Sequence, residues 1–250
     1  MDPAVLREDM VDSLEHEAKG YVRSERVGIA MREVPRHAFL DDERSAYADR
    51  SFERLGTRVL APSTAARLLE ALAPAESDSV LVVGTGVGYT TAVAAEIAGS
   101  QHVQTIDISR RLVYEARNNL ASAGYGDVLV DCRNGNDGLP EYAPYDRILV
   151  EAAAIEPPRS LLAQLVPERG RLVFPAGGND QTLVAVERRT DGYEVVGRYG
   201  PVSFRPMLVE GEQTGSIERN RTRREDLEFA ARARERRRGW EQDWIDWSDD

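Results

Sequence analysis

The sequence predicts an α/β protein with a doubly wound parallel sheet and an antiparallel edge, flanked by N-terminal helices and a C-terminal helical tail. Residues 80–83 are a continuous apolar run, which is typical of a strand buried on both faces of a parallel sheet. A glycine-rich turn joins this run to a helical pattern, and further strand patterns alternate with helical ones. The last strand patterns follow one another without helices, which predicts the antiparallel edge.

The elements follow in chain order. Residues 2–34 carry apolar side chains at helical spacing and predict two short amphipathic helices. Residues 35–56 are polar and irregular, which predicts a loop wrapping over the domain, and Ser63 is a candidate N-cap for the helix that follows. The predicted helices span residues 63–73, 89–98, 110–123 and 160–165, and the predicted strands span residues 80–83, 103–108, 128–132, 145–150, 170–175, 182–188 and 193–201.

Residues 216–250 differ in composition from the rest. Their first part is rich in arginine and glutamate, typical of a solvated helix. Trp240, Trp244 and Trp247 have i, i+4, i+7 spacing and share one helical face, which we expect to dock within the chain or in a dimer. We therefore predict three segments: N-terminal helices at 1–34, the main domain at 35–215 and the tail at 216–250.

Composition excludes several classes of function. The net charge of −11 disfavours a nucleic-acid surface, and no apolar run approaches the roughly 20 residues that span a bilayer. Cys132 is the one cysteine and the three histidines are scattered, so neither a disulfide nor a metal site is expected. The N-terminus lacks the order of a signal peptide, and we expect a cytoplasmic protein.

The basic residues are almost all arginine, because Lys19 is the only lysine. An acid excess with almost no lysine favours a high-salt source, such as a haloarchaeon. Codon bias combined with an acidic surface is the alternative.

The most informative pattern is Gly84-x-Gly86-x-Gly88 between a strand and a helix, followed by Asp107 at the end of the next strand. Glycines let the backbone turn tightly and approach a ligand, and a carboxylate at this position accepts ribose hydroxyls. This combination favours an adenosyl cofactor. A nicotinamide cofactor prefers Gly-x-Gly-x-x-Gly, which this turn does not match.

Several further motifs then point to one family. They are Val34-Pro35-Arg36-His37-Ala38-Phe39, Ala46-Tyr47-x-Asp49-Arg50, Val80-Leu81-x-Val83-Gly84-Thr85-Gly86-x-Gly88-Tyr89, Ala143-Pro144-Tyr145-Asp146-Arg147-Ile148, Gly170-Arg171-Leu172-Val173-Phe174-Pro175 and Gly200-Pro201-Val202-Ser203-Phe204-x-Pro206.

In these motifs the chain resembles the protein-L-isoaspartate O-methyltransferases from about residue 34 to residue 209. The resemblance implies a class I methyltransferase (Rossmann-like) fold, S-adenosylmethionine as cofactor, and isoaspartyl-containing peptides or proteins as substrates, whose free carboxylate is esterified in protein repair. From the net charge and the short apolar runs we expect neither a nucleic-acid nor a membrane partner. The cofactor-binding residues that we predict from the glycine turn, Asp107 and the resemblance together are Val83, Gly84, Thr85, Gly86, Gly88, Asp107, Ile108, Asn134 and Gly135.

The active loop of the family corresponds to residues 56–62, and there the chain departs from the family pattern. The family's catalytic serine corresponds to Leu60 and its threonine to Arg58. A guanidinium can clamp a carboxylate with two hydrogen bonds, although a surface ion pair is an equally good interpretation of Arg58. The hydroxyls of Ser63 and Thr57 are candidate replacements for that of the serine. The predicted catalytic set is Arg58, Leu60 and Ser63, with reduced activity expected.

Two alternatives remain open. One is a methyltransferase with a different acceptor; base methylation usually requires an Asp/Asn-Pro-Pro-Tyr/Phe cluster after the fourth strand, where this chain has residues 151–154, Glu-Ala-Ala-Ala. The other is a non-catalytic cofactor-binding module that engages a partner through its tail. Loss of the loop serine favours the module, whereas the glycine turn with Asp107 favours an enzyme.

Overall fold

A computed structural model describes residues 2–42 and 45–208. The predicted tail, with its tryptophan face, lies outside the described residues. The helices are α1 Pro3–Glu15, α2 Glu25–Glu33, α3 Pro62–Leu72, α4 Tyr89–Ala98, α5 Arg110–Ser122 and α6 Arg159–Ala163. The strands are β1 Phe52–Arg54, β2 Thr57–Val59, β3 Val80–Val83, β4 Val103–Asp107, β5 Leu129–Cys132, β6 Arg147–Val150, β7 Arg171–Ala176, β8 Gln181–Arg189 and β9 Gly192–Val202.

Strands β3 to β9 form one sheet in the order β5-β4-β3-β6-β7-β8-β9. Its first five strands are parallel, whereas β8 and β9 are antiparallel to their neighbours. The chain leaves β3 towards β4 and β5, and then returns to the other side of β3 to form β6 and β7. Such a reversal opens a crevice at the carboxyl ends of the central strands, where ligands bind in open α/β sheets. The predicted α/β sheet with an antiparallel edge is confirmed.

Strand β3 is buried on both faces of the sheet, which explains why its apolar run is unbroken. Val80 and Val82 belong to one hydrophobic cluster, which also contains buried residues of α1 to α5. Leu81 and Val83 belong to a second cluster on the opposite face, together with Leu161 of α6. Because successive side chains of a strand alternate between its faces, a strand covered on both sides favours apolar residues at every position.

The far edge of the sheet is β9, whose pairing with β8 is irregular. Register shifts occur between Thr182 and Val184 and between Ala185 and Val186. Tyr193, Val195 and Val196 on β9 are exposed.

Two predictions about residues 35–63 are wrong. Ser63 does not cap α3: the N-cap is Ala61, the cap makes no side-chain hydrogen bond, and Pro62 occupies the first turn. Proline suits this position because the N–H that it lacks would have no partner inside the helix. Ser63 instead donates its backbone N–H to Asp49 Oδ1 at 3.0 Å.

The polar stretch 35–56 is also more ordered than a loop. It contains a 3-10 turn at Arg36–Phe39 and strand β1, which pairs with β2. Arg36 and Phe39 are fully buried. Backbone carbonyls accept from Nε and Nη2 of Arg36, and burial of a charged group is tolerated when it is hydrogen-bonded.

The two N-terminal helices are confirmed, and they pack into the same core as the sheet. The division into 1–34, 35–215 and 216–250 stays a prediction. None of the helices in the described part of the chain is both long and apolar enough to cross a membrane.

Candidate active site

The glycine turn after β3 forms the centre of a cavity at the carboxyl edge of the sheet. Gly84 and Thr85 donate their N–H groups to the Ile106 carbonyl at 2.8 and 3.1 Å, which ties the turn to β4. Gly86 lines the cavity with φ +54°, and a methyl group built on it would meet no atom within 4 Å. Gly88 is the residue before α4. The turn therefore leaves bare backbone facing the cavity, which a ligand can approach closely.

Asp107 ends β4 beside this turn. Its carboxylate accepts from Gly86 N at 3.1 Å through Oδ2 and from Ser109 N at 2.9 Å through Oδ1. Burial raises the pKa of Asp107, and the backbone hydrogen bonds oppose that shift. Two backbone donors orient the carboxylate and leave lone pairs for further donors from the cavity.

Ile108 and Gly135 continue the cavity wall beyond Asp107. A side chain on Gly135 would begin 2.6 Å from Val83 Cγ1, so Val83 would have to shift to admit one. Asn134 does not line the cavity, and its Oδ1 accepts from Asn136 N at 3.0 Å. The backbone at residue 135, rather than the Asn134 side chain, faces the cavity.

The β1–β2 hairpin brings residues of the loop at 56–60 to the wall of the same cavity. Leu60 lines the cavity and is 9% exposed. Its carbonyl accepts from Arg36 Nη2 at 2.6 Å, and Arg36 Nε donates to the Ala46 carbonyl at 2.7 Å. The Arg36 guanidinium also lies 4.5 Å from the centroid of the Tyr89 ring at the start of α4. Arg36 thus fixes the loop against the glycine-turn helix.

Two guanidinium groups lie on the cavity wall, those of Arg58 and Arg205. Both pair with Glu53: Arg58 Nε is 3.6 Å from Oε1, and Arg205 Nη2 is 3.2 Å from Oε2. Arg205 also donates to the Gly56 carbonyl. Their side chains are 46% and 55% exposed, so these cations sit at the solvent side of the cavity.

Glu151, directly after β6, is a lining residue that sequence reasoning missed. Its backbone N–H donates to the Val83 carbonyl at 2.8 Å. Thr90 hydrogen-bonds its carboxyl group, whereas the buried Oε1 atom has no hydrogen-bond partner among the described residues. Burial raises the pKa of Glu151 to about 8. A signal was available in the sequence, since a glutamate directly follows the apolar run Ile148-Leu149-Val150.

The structure brings most of the predicted residues together at this cavity, and leaves some out. Thr85 is buried behind the turn and hydrogen-bonds Thr105 side chain to side chain at 2.7 Å. The described part of the chain has no group of His, Cys, Asp or Glu side chains that could hold a metal ion. The predicted residues that line the cavity are Arg58, Leu60, Val83, Gly84, Gly86, Asp107, Ile108 and Gly135, and those that do not are Ser63, Thr85, Gly88 and Asn134.

Comparison with known proteins adds independent information. Residues 6–213 match the family model of protein-L-isoaspartate(D-aspartate) O-methyltransferase. The chain is 40% identical over 207 residues to a protein-L-isoaspartate O-methyltransferase of Methanosarcina mazei, covering 81% of this chain and 83% of that protein. It is 41% identical over 210 residues to one of Halorhodospira halophila, covering 81% and 91%.

Two solved structures are also similar. One is a protein-L-isoaspartate O-methyltransferase with 25% identity and a TM-score of 0.71, covering 84% of this chain and 67% of that one. The other, from Plasmodium falciparum and in complex with S-adenosyl-L-homocysteine, has 21% identity and a TM-score of 0.69, covering 79% and 96%. The second supports the fold alone.

Proposed function

The chain belongs to the protein-L-isoaspartate(D-aspartate) O-methyltransferase family, and we propose that it esterifies the free carboxylate of isoaspartyl residues in damaged proteins, with S-adenosylmethionine as methyl donor. One observation carries this function. The glycine turn, Asp107 and the loop at residues 56–60 converge on one cavity. A donor and an acceptor bound there would lie next to each other, which is what a group transfer between them requires.

The cavity fits the donor. We propose that Asp107 accepts the ribose hydroxyls, because its carboxylate is already oriented by two backbone donors. The open side of Gly86 leaves room for the ligand to lie against the backbone. Ile108 and Gly135 would flank the adenine. When bound, the cofactor supplies a methyl group activated by its sulfonium.

On the acceptor side, the chain has to position a carboxylate rather than move a proton. A carboxylate oxygen is already a nucleophile at neutral pH, so orientation carries most of the catalysis. Arg58 and Arg205 are suited to attract and orient it, since guanidinium groups bind carboxylates with two hydrogen bonds. Both are paired with Glu53, so we propose that the acceptor carboxylate competes with Glu53 for them.

Leu60 limits this orientation, because an aliphatic side chain on the cavity wall can make no hydrogen bond. Leu60→Ser should raise turnover roughly tenfold if one hydrogen bond to the acceptor is regained. The measurement is transfer of a tritiated methyl group to an isoaspartyl peptide in high salt. A normal aspartyl peptide is the substrate control. Assays must run well below the melting temperature, since replacing a buried leucine also costs stability.

Arg58→Thr is the matched variant in the same loop, and it should lower activity if the guanidinium orients the acceptor. If the wild type already methylates the isoaspartyl peptide rapidly and Leu60→Ser does so at the same rate, the assigned role of Leu60 is contradicted. If the wild type and Leu60→Ser both bind the cofactor but neither transfers a methyl group, the protein is a non-catalytic binding module and the proposed enzymatic function is rejected.

We also propose that the protein works in the cytoplasm of a high-salt organism. Because the net charge is −11, the acidic side chains should repel one another and destabilise the fold in dilute buffer. Salt should screen that repulsion. The melting temperature is therefore expected to rise between low and molar potassium chloride. Sucrose at equal osmolality is the control, because it does not screen charge. A melting temperature that stays constant or falls with salt would reject the halophilic interpretation.

A further inference from the structure

The Glu151 carboxyl group lies beside the glycine turn with unused hydrogen-bonding capacity. A methyl group built on Gly84 would be 3.3 Å from Glu151 Cβ, so the two residues are in direct contact. The Oε1 atom is buried and unpartnered within the described residues, and the residue lines the cavity. An orphaned buried carboxyl oxygen costs stability unless a ligand satisfies it.

The charges around Glu151 favour a cation as that ligand. The other acidic group on the cavity wall is Asp107, which adds negative charge. The two lining cations, Arg58 and Arg205, are paired with Glu53 at the solvent side. Within the described ranges, no cationic group acts on the Glu151 carboxyl group.

We propose that Glu151 binds the α-ammonium group of S-adenosylmethionine and of its demethylated product. This inference rests on the proposed function and deepens it by assigning the amino-acid end of the cofactor. Asp107 follows β4 on one side of β3, and Glu151 follows β6 on the other. A ligand that crosses the glycine turn with its ribose at Asp107 has its amino-acid end at Glu151.

The protonation state of Glu151 makes this assignment measurable. Burial, with a smaller contribution from the Asp107 charge, raises the pKa of Glu151 to about 8, against a lowering by the Thr90 hydrogen bond. Near pH 7 the empty site therefore holds mostly the protonated acid. An ammonium group pairs with the carboxylate, so binding should transfer most of one proton from Glu151 to the buffer.

The test is calorimetry on the full chain near pH 7, in buffers of different ionisation enthalpy. Two ligands are compared: S-adenosylhomocysteine, and 5′-methylthioadenosine, which keeps the ribose but lacks the ammonium group. The wild type should release most of one proton with the first ligand and little with the second. Glu151→Gln should abolish the difference, and should weaken S-adenosylhomocysteine binding roughly tenfold near pH 8, with methylthioadenosine binding unchanged. The exposed Glu156→Gln is the matched control.

The contrary results are distinct from one another. Equal proton release with both ligands would assign the proton to Asp107 or another group and overturn the inference, as would unchanged release in Glu151→Gln. If neither ligand binds to the folded wild type, cofactor use itself fails, and the proposed function with it.

Folding provides a separate check. A carboxyl whose pKa rises from 4.5 to about 8 on folding contributes stability below pH 4.5 that is lost as pH rises towards 8. Between pH 4.5 and about 8, the melting temperature of the wild type should therefore fall relative to that of Glu151→Gln. If the melting temperatures of the wild type and of Glu151→Gln change equally with pH, Glu151 does not titrate as required and the inference is overturned.

Discussion

Arg36→Ala is expected to lower the free energy of unfolding by about 3–5 kcal/mol. Arg36 is fully buried, and it donates to the carbonyls of Ala46 and Leu60 at 2.7 and 2.6 Å. Each hydrogen bond from a charged group contributes about 1.5–3 kcal/mol, and removal leaves both carbonyls without a donor. The cation–π contact with Tyr89 is lost as well. The cost of burying the guanidinium offsets part of what the two hydrogen bonds and the cation–π contact contribute, so the expected loss of stability is smaller than their sum.

The measurement is chemical denaturation in high salt. Arg36→Met is a second variant that fills most of the space. The difference between the free energies of unfolding of the two variants therefore gives the cost of the cavity. Arg111→Ala is the control, because Arg111 is exposed on α5 and should change stability by no more than about 0.5 kcal/mol. An Arg36→Ala protein within about 1 kcal/mol of the wild type would show that these contacts do not hold the loop.

Asp107→Ala should weaken cofactor binding by about 1–3 kcal/mol, roughly ten- to a hundredfold in Kd. The substitution removes the acceptor for the ribose hydroxyls, and it also frees the N–H groups of Gly86 and Ser109 that orient the turn. Both changes disfavour the bound state, since a looser turn has to be ordered again by the ligand.

Calorimetry with S-adenosylmethionine measures this effect. Asp127→Ala is the control, because Asp127 is exposed before β5, at the opposite end of the sheet. A folded wild type that gives no heat at millimolar cofactor would refute cofactor binding. Equal affinities for the wild type and Asp107→Ala would refute only the role of Asp107.

The doubly wound sheet could be predicted because its physical causes are local. Strand β3 needs apolar side chains at every position, since both of its faces are covered. The turn after it needs glycine at Gly86, whose φ is +54°. Asp107 was identifiable by its position at the end of the next strand. These constraints are visible within short stretches of sequence.

The hairpin of β1 and β2 could not be predicted, because its strands have three residues each and its two-residue turn carries leucine where asparagine, aspartate or glycine is preferred. Leu55 and Gly56 have φ of +52° and +78°, and a bulky residue at positive φ is rare enough that sequence reasoning does not expect it. The buried state of Arg36 was equally hidden. It depends on partners distant in sequence, such as the Leu60 carbonyl.

Among the described residues β9 is an edge strand of the sheet, and this has a consequence for solubility at high protein concentration. An edge strand with exposed apolar side chains offers a template on which another chain can add and aggregate. Charge repulsion opposes such addition, but in high salt it is screened within a few ångströms. Protection then depends on shape: the register shifts between β8 and β9 twist the edge, and Pro201 near the end of β9 offers no N–H group. Backbone irregularity, unlike charge repulsion, opposes strand addition at the β9 edge equally well at high salt.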